Sequence, residues 1–176
     1  MLKTLIHLLF FLAVSVVATG TLESSVLNRL LQLDLGLRTT YILLDRIDEA
    51  SANVTASDVI VAYNAIVAPG TNTIQQPFAS SCDEATQFTL CQAYHTFAIT
   101  SISLYTELTD NAPEFSKDLR NGLQEGFNRI YNENAYFVDN VASGGLPLCL
   151  ESIQWDCWAL TKAYLMACKA LSPSAV

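Results

Sequence analysis

The residues of this chain with the clearest capacity for chemistry are its five cysteines. Thiols can bind a metal ion, act as nucleophiles or join into disulfides, and their spacing helps to separate these uses. No two of them stand in the C-x-x-C spacing typical of zinc sites. We therefore predict no metal site and no cofactor, and we expect disulfides, the usual state of cysteines in exported proteins. The cysteines are Cys82, Cys91, Cys149, Cys157 and Cys168.

Helix geometry limits how these cysteines can pair. Cys82 and Cys91 are nine residues apart, and Cys149 and Cys157 are eight apart, which on a helix corresponds to about 12–13 Å of rise. A disulfide requires Cα atoms within about 7 Å. We therefore predict two bridges between neighbouring parallel helices, Cys82–Cys149 and Cys91–Cys157, with Cys168 either a buried thiol or paired outside the chain. A local Cys82–Cys91 bridge stays open if Cys82 precedes its helix.

Candidates for acid–base catalysis are few. His95 is the only histidine after residue 20, and it lies in an apolar stretch beside Tyr94 and Phe97, where a histidine is typically a core residue with a satisfied ring nitrogen. The chain has no nucleophile elbow and no glycine-rich phosphate loop. Acidic side chains gather around one predicted turn, as is typical of solvated helix ends; they are Glu107, Asp110, Glu114 and Asp118. We predict that the protein is not an enzyme.

Large aromatic side chains are numerous in the helical segments. Such rings can line a cavity for an apolar ligand, or they can simply fill the core, and spacing alone does not choose between these roles. Trp155 and Trp158 cannot both share the stripe that contains Cys157, so we expect at least one of them in an exposed contact surface. The residues expected to contact a ligand in a cavity are Tyr94, Phe97, Phe127, Tyr131, Phe137 and Tyr164.

The first twenty residues have the order of a secretory signal peptide. A basic start at Lys3 is followed by an almost wholly apolar run over 5–17 and by small residues at 18–20. The apolar run, about 13 residues long, is too short to cross a bilayer comfortably. We therefore expect a secreted protein with a signal peptide over 1–20, a single domain over 21–176 and no transmembrane anchor. Asn53 begins an Asn-Val-Thr acceptor for glycosylation.

The charge of the chain narrows its partners. Without Lys3 the chain carries eight basic and seventeen acidic residues, a net charge of about −9. An acidic surface of this size argues against nucleic acid and anionic membrane surfaces as partners.

The spacing of apolar residues is helical nearly everywhere after residue 20. Cap and turn signals predict five helices beginning near residues 22, 55, 82, 113 and 147, with the second broken at Pro69–Gly70. The third predicted helix is apolar on two faces, which favours a central position. Short connections between five helices predict an all-α, up-and-down helical bundle stapled by disulfides.

This organisation resembles the fungal hydrophobic surface binding protein A and cell wall galactomannoprotein family. The similarity lies in the signal peptide, the leucine-spaced first helix over 26–47, the interrupted second helix and the junction Leu104–Phe115 (LYTELTDNAPEF) between the third and fourth helices. The resemblance implies a secreted or cell-wall-associated bundle that binds lipids or coats hydrophobic surfaces without catalytic residues. The plant inhibitors of pectin methylesterase and invertase are a second resemblance, although this chain has no cysteine before Cys82.

Two functional hypotheses follow. The first is a secreted, non-catalytic protein that binds an apolar small molecule, such as a fatty acid, or coats a hydrophobic surface. The second is a secreted module that binds an extracellular protein, as an inhibitor or an effector. A packed core together with an exposed apolar patch would favour the second hypothesis.

Overall fold

The structure, a computed structural model, describes residues 21–47, 54–67, 74 and 76–172. The expected signal peptide over 1–20 and the expected glycosylation site Asn53 lie outside these residues. Within the described ranges the regular secondary structure is entirely helical, so the prediction of an all-α bundle is confirmed. None of the helices in these ranges is both long enough and apolar enough to cross a membrane.

Five helices of twelve or more residues form the bundle. A 3₁₀ turn over Ala112–Glu114 precedes the fourth helix, and a π-helical turn over Phe137–Ala142 and a short helical turn over Ser143–Gly145 follow it. The five helices are α1 (Leu22–Asp45), α2 (Ala56–Val67), α3 (Glu84–Asn111), α4 (Lys117–Tyr136) and α5 (Leu150–Leu171).

Polar side chains fix where these helices begin. Thr55 and Asp58 form a reciprocal cap at the predicted start of α2, since each side chain accepts a hydrogen bond from the other residue's backbone N–H. Asp83 caps α3 by accepting from the N–H of Thr86 at 3.0 Å. Ser116 caps α4 in the same way. Pro113, where the fourth helix was expected to begin, lies in the 3₁₀ turn, and α4 itself begins four residues later at Lys117.

The helices pack in two layers. α1, α3 and α5 form one layer with α3 in the middle, and α2 and α4 form the layer behind it. The side chain of Thr100 on α3 donates a hydrogen bond to Asp34 on α1 at 2.5 Å. On the inner side of α3, the hydroxyl of Tyr94 donates to Asn134 of α4 at 2.8 Å. The central position predicted for the third helix is confirmed.

A buried ion pair links the two layers. Arg29 of α1 donates from Nε and Nη2 to the two carboxylate oxygens of Glu133 on α4, at 2.7 and 2.6 Å, and both side chains are buried. Arg29 also donates to the carbonyl of Ile66, and Glu133 accepts from the N–H of Ile74. The pair therefore satisfies its own charges and holds the end of α2 and Ile74 against the bundle.

Candidate functional site

The structure contains one disulfide among the described residues, Cys91–Cys149, with its Cα atoms 6.4 Å apart. The predicted pairs Cys82–Cys149 and Cys91–Cys157 are therefore wrong, as is the alternative of a local Cys82–Cys91 bridge. Cys82, Cys157 and Cys168 are free thiols, each half-buried.

The predicted disulfide pairs are wrong because they assumed the wrong axial register between α3 and α5. The two helices are parallel neighbours, as the predicted pairing required: His95 meets Asp156, and the ring of Tyr105 meets that of Tyr164. Residues at the same level are therefore about sixty positions apart, which is the spacing of Cys91 and Cys149. The predicted pairs needed a separation of 66 or 67 residues, about two turns more.

The free thiols lie in different environments. Burial raises the pKa of the Cys82 thiol, and the nearby charges of Glu23 and Asp83 raise it further. Burial also raises the pKa of Cys168. The sulfur of Cys157 accepts a hydrogen bond from the side-chain amide of Asn134 at 3.4 Å. A thiol with a raised pKa is a weak nucleophile at neutral pH, so neither Cys82 nor Cys168 resembles a catalytic cysteine.

His95 is a surface residue, and the prediction that it lies in the core is wrong. It lies on the outer side of α3, its side chain is 55% exposed, and its Nδ1 is 2.8 Å from the carboxylate of Asp156 on α5. Its neighbours Tyr94 and Phe97 are buried because they lie on the opposite side of the same helix. His95 thus links two helices across the surface.

The acidic residues at the end of α3 and the start of α4 do not converge on a site, and the side chain of Glu114 between them lies outside what the structure describes. Glu107 accepts a hydrogen bond from Asn111 one turn later, Asp110 is exposed, and Asp118 lies exposed in the first turn of α4. Within the ranges that the structure describes, no three His, Cys, Asp or Glu side chains are grouped in a way that could hold a metal ion.

The six rings predicted to contact a ligand lie in two groups within the bundle. Near the disulfide, Tyr94 stacks on Phe137 with centroids 4.8 Å apart and also contacts Phe97. These three rings are at most 1% exposed. They belong to α3 and to the π-helical turn, and they fill the space between those elements.

The second group lies nearer the other end of the bundle. Tyr164 stacks on the half-buried Tyr131 at 4.5 Å and meets Phe127 edge-on. Tyr63 and Tyr105 each meet Phe127 edge-on as well. The rings contact one another directly, as expected of aromatic side chains that fill a core.

The hydroxyl groups of this second group differ in their partners. Tyr164 donates to Asn128 at 2.7 Å, and burial raises the pKa of Tyr164 to about 12. Burial raises the pKa of Tyr63 and Tyr105 well above the ordinary value for tyrosine. These two hydroxyls lie close enough to affect each other electrostatically, but neither has a hydrogen-bond partner among the described residues.

A pocket of about 590 Å³ opens where α1 and α3 begin side by side. Its wall mixes polar groups of Glu23, Asp83 and Thr86 with the apolar side chain of Leu27, and the half-buried Cys82 also lines it. None of the six predicted ligand-contacting rings lines this pocket. It therefore offers no apolar enclosure for a lipid tail.

The outer surface of the α1–α3–α5 layer is the feature that sequence reasoning missed. Eleven large apolar side chains are exposed in the described residues, and ten of them lie on these three helices or directly before α5. Val61 of α2 is the exception. We call these ten side chains the outer apolar face; they are Leu31, Leu35, Ile42, Phe88, Ile99, Leu148, Trp155, Trp158, Leu165 and Met166.

Helical spacing keeps these residues on one side of each helix. Leu31 and Ile42, Phe88 and Ile99, and Trp155 and Met166 are each eleven residues apart, or about three turns. Along α3 the face also carries little charge, because residues 85–106 contain no Asp, Glu, Lys or Arg. The exposed residues described on α4 are polar or charged instead. They are Lys117, Asp118, Asn121, Asn128, Arg129 and Asn132, and beyond the end of α4 Asp139 and Asn140 are exposed as well.

Both tryptophans belong to the outer apolar face. Trp155 is 64% exposed and Trp158 is 60% exposed, and their rings meet edge-on at 6.1 Å. The ammonium group of Lys162 lies 5.7 Å from the centre of the Trp158 ring. The expectation that at least one tryptophan is exposed is therefore confirmed for both.

Comparison with protein-family models, with curated proteins and with solved structures finds no match for this chain.

Proposed function

We propose that this is a secreted, non-catalytic helical protein, extracellular or associated with a cell wall, that binds hydrophobic surfaces through its outer apolar face. One observation carries the proposal: ten of the eleven large apolar side chains exposed in the described residues lie on the α1–α3–α5 layer. Soluble proteins rarely expose a large group of such residues on one side without a partner for it.

The arrangement of the face favours an extended surface over a small ligand. Three parallel helices each present exposed apolar residues about 16 Å apart along their axes. Adsorption of these side chains to an apolar material removes them from water, and each square ångström so buried contributes about 25 cal/mol. The core needs no rearrangement for this, because the exposed side chains already point outward.

The interior ligand of the first hypothesis has less support than surface binding. Tyr94, Phe97, Phe127 and Phe137 are almost fully buried and contact other rings. A fatty acid would have to separate these contacts before it could enter. The resemblance to the hydrophobic surface binding protein A family is consistent with surface coating, and membership of that family remains part of the proposal.

An adsorption isotherm on octadecyl-coated silica beads would test the proposal, with the oxidised protein and circular dichroism of the bound and eluted material. Phe88 and Ile99 lie in the middle of the face and are exposed, so F88Q/I99Q should fold normally. We expect this variant to bind several-fold more weakly than the wild type.

The matched control is V61Q on α2, since Val61 is 65% exposed and Phe88 is 64% exposed. V61Q should adsorb like the wild type. Equal weakening by V61Q and F88Q/I99Q, or loss of the helical signal on the beads, would mean that adsorption proceeds by unfolding and would contradict the proposal.

A protein partner is the second candidate function, and the pair Trp155–Trp158 is the observation that favours it. Exposed tryptophans are enriched among the residues that dominate protein interfaces, and a packed core leaves the surface as the place of function. A protein-facing module would bind one extracellular protein saturably and would not be displaced by octadecyl beads. Binding to hydrophobic surfaces predicts instead that no single extracellular protein binds saturably and that octadecyl beads compete for the face.

A further inference from the structure

We propose that the outer side of α5 inserts into the interface of a zwitterionic phospholipid layer, with Trp155 and Trp158 as its anchors. This rests on the proposed binding of hydrophobic surfaces and adds the chemistry of the surface and the helix that enters it. We call the contact residues the α5 lipid face; they are Trp155, Trp158, Lys162, Leu165, Met166 and Lys169.

The α5 lipid face has two adjacent stripes. Trp155, Lys162 and Lys169 follow one another at intervals of seven residues, as do Trp158 and Leu165, and seven residues are close to two helical turns. All of these side chains are exposed. Apolar and basic side chains thus alternate along one side of the helix rather than segregating to its ends.

This composition fits the boundary between lipid headgroups and acyl chains. An indole ring has an apolar body and a polar N–H, and it is enriched at that depth in membranes. Lysine can place its methylene stem along apolar surface while its ammonium group reaches outward to phosphate. A helix with these side chains is typically buried about 5–10 Å into the interface, parallel to it.

The distribution of charge selects zwitterionic over anionic lipid. Residues 21–176 contain three lysines, Lys117, Lys162 and Lys169, so two of the three accompany the two tryptophans. They can pair with the phosphate of a zwitterionic headgroup. Within α5 the acidic residues are Glu151, exposed near its start, and Asp156, which faces His95 of α3. The chain as a whole carries a net charge of −8, which a strongly anionic membrane would repel.

The other side of α5 is held in place. The disulfide Cys91–Cys149 and the pair His95–Asp156 fasten α5 to α3, and Ile153, Leu160 and Ala167 are buried. The helix therefore cannot turn its tryptophans into the core. A face that is already ordered loses little conformational entropy on binding.

The chain supplies its own reporter for a test, because Trp155 and Trp158 are its only two tryptophans. Tryptophan emission would be recorded while phosphatidylcholine vesicles are added to the oxidised protein, followed by quenching with lipids brominated along the acyl chain. Co-sedimentation would give the partition coefficient. We expect a saturable blue shift of the emission, and strongest quenching by bromine near the headgroup.

Variants locate the contact. W155S/W158S should lower the partition coefficient about tenfold or more, because two exposed rings no longer enter the interface. V61Q on α2 is the control, since Val61 is as exposed as Trp155 but lies outside the outer apolar face, and it should stay within about twofold of the wild type. Vesicles of phosphatidylglycerol at low salt should bind more weakly than phosphatidylcholine. Equal partition of W155S/W158S and wild type, or stronger binding to the anionic vesicles, would overturn the proposal.

The octadecyl beads separate this proposal from the one on which it rests. Adsorption to the beads without partition into vesicles would overturn the lipid assignment and leave hydrophobic-surface binding standing. Loss of both would overturn both. A blue shift that depends on protein concentration in the absence of lipid, with a dimer in sedimentation equilibrium, would show that a second copy covers the face, and this would also overturn the lipid assignment.

Discussion

Burial of a charged side chain in the interior of this bundle costs free energy unless the charge is paired, and Arg29 is the clearest case. The side chain of Arg29 is 3% exposed and that of its partner Glu133 is 8% exposed. Removal of one member of a buried pair leaves the other charge without compensation. Stability should therefore depend on this pair far more than on any pair at the surface.

We expect R29M to lower the free energy of unfolding by about 3–5 kcal/mol, because the carboxylate of Glu133 would remain buried without its main partner. Urea denaturation followed by circular dichroism measures this. R38M is the control: Arg38 is 55% exposed and pairs with Asp34 one turn away, so its loss should cost less than about 1 kcal/mol. Similar losses for the two variants would contradict the assignment of a buried pair.

The buried tyrosines predict how the stability of the folded protein changes at alkaline pH. Burial raises the pKa of Tyr63, Tyr94, Tyr105 and Tyr164, the last to about 12, whereas a tyrosine in the unfolded chain titrates near 10. Above pH 10 the unfolded chain releases protons that the folded protein retains. The contribution of these tyrosines to stability should thus be constant below about pH 9 and fall above pH 10, by about 1.4 kcal/mol per pH unit for each such tyrosine.

Y164F tests this response at one residue. The variant should lose stability less steeply than the wild type between pH 10 and 12, because one titrating group has been removed. Its stability at neutral pH should be slightly lower, because the hydrogen bond to Asn128 is lost. F97L changes packing without changing titration, so it should shift the whole curve and leave its slope unchanged. A Y164F slope equal to that of the wild type would show that Tyr164 ionises freely.

At the scale of elements, the sequence predicted which side of each helix faces inward better than it predicted where the helices meet. Six apolar residues at helical spacing were expected on one stripe of the first helix; five of them are buried and Ile47, just beyond the end of α1, is half-buried against the core. The five buried residues are Val26, Leu30, Leu33, Leu37 and Leu44. Periodicity reports the apolar side of a helix. It does not report the axial position of a neighbouring helix, which is why the cysteines were paired about two turns out of register.

The disulfide gives a direct check of that register. Peptide mapping without reduction should recover Cys91 joined to Cys149, with Cys82, Cys157 and Cys168 alkylated as free thiols after denaturation. C91S/C149S should lower the free energy of unfolding by about 4 kcal/mol in the chain-entropy description, given the separation of 58 residues. C157S, which breaks no bridge, should change it much less. A recovered Cys82–Cys149 peptide would refute the observed register.

The contact between α1 and α2 depends on one glycine. A Cβ atom at Gly36 would overlap the side chain of Ile66, so G36A should destabilise the protein by about 1–3 kcal/mol through overpacking. G144A is the control, since a Cβ there meets only the carbonyl of Phe78 at an ordinary 3.6 Å. Thermal unfolding of the two variants compares them. A G36A variant as stable as the wild type would mean that α1 and α2 can separate without cost.

At the scale of the whole molecule, apolar spacing and turn signals predicted the class of fold, but the candidate binding surface required the structure. Leu31, Ile99 and Trp155 are unremarkable as single residues in amphipathic helices. They form one surface only because α1, α3 and α5 share a layer. The Arg29–Glu133 pair was missed for the same reason, since 104 positions separate its members along the chain. Local spacing cannot reveal pairings that arise from the packing of distant segments.

The parallel arrangement of α1, α3 and α5 also bears on how the chain reaches its native state. Thr100 meets Asp34 and Asp156 meets His95, so helices that touch within this layer are joined through contacts 66 and 61 positions apart. Bundles built from successive hairpins fold quickly because most of their contacts are local, and folding slows as contacts span longer loops. This bundle should therefore fold more slowly than a hairpin bundle of its size. Its five thiols would remain accessible to oxidation until α3 and α5 dock, so correct pairing of Cys91 depends on docking preceding oxidation.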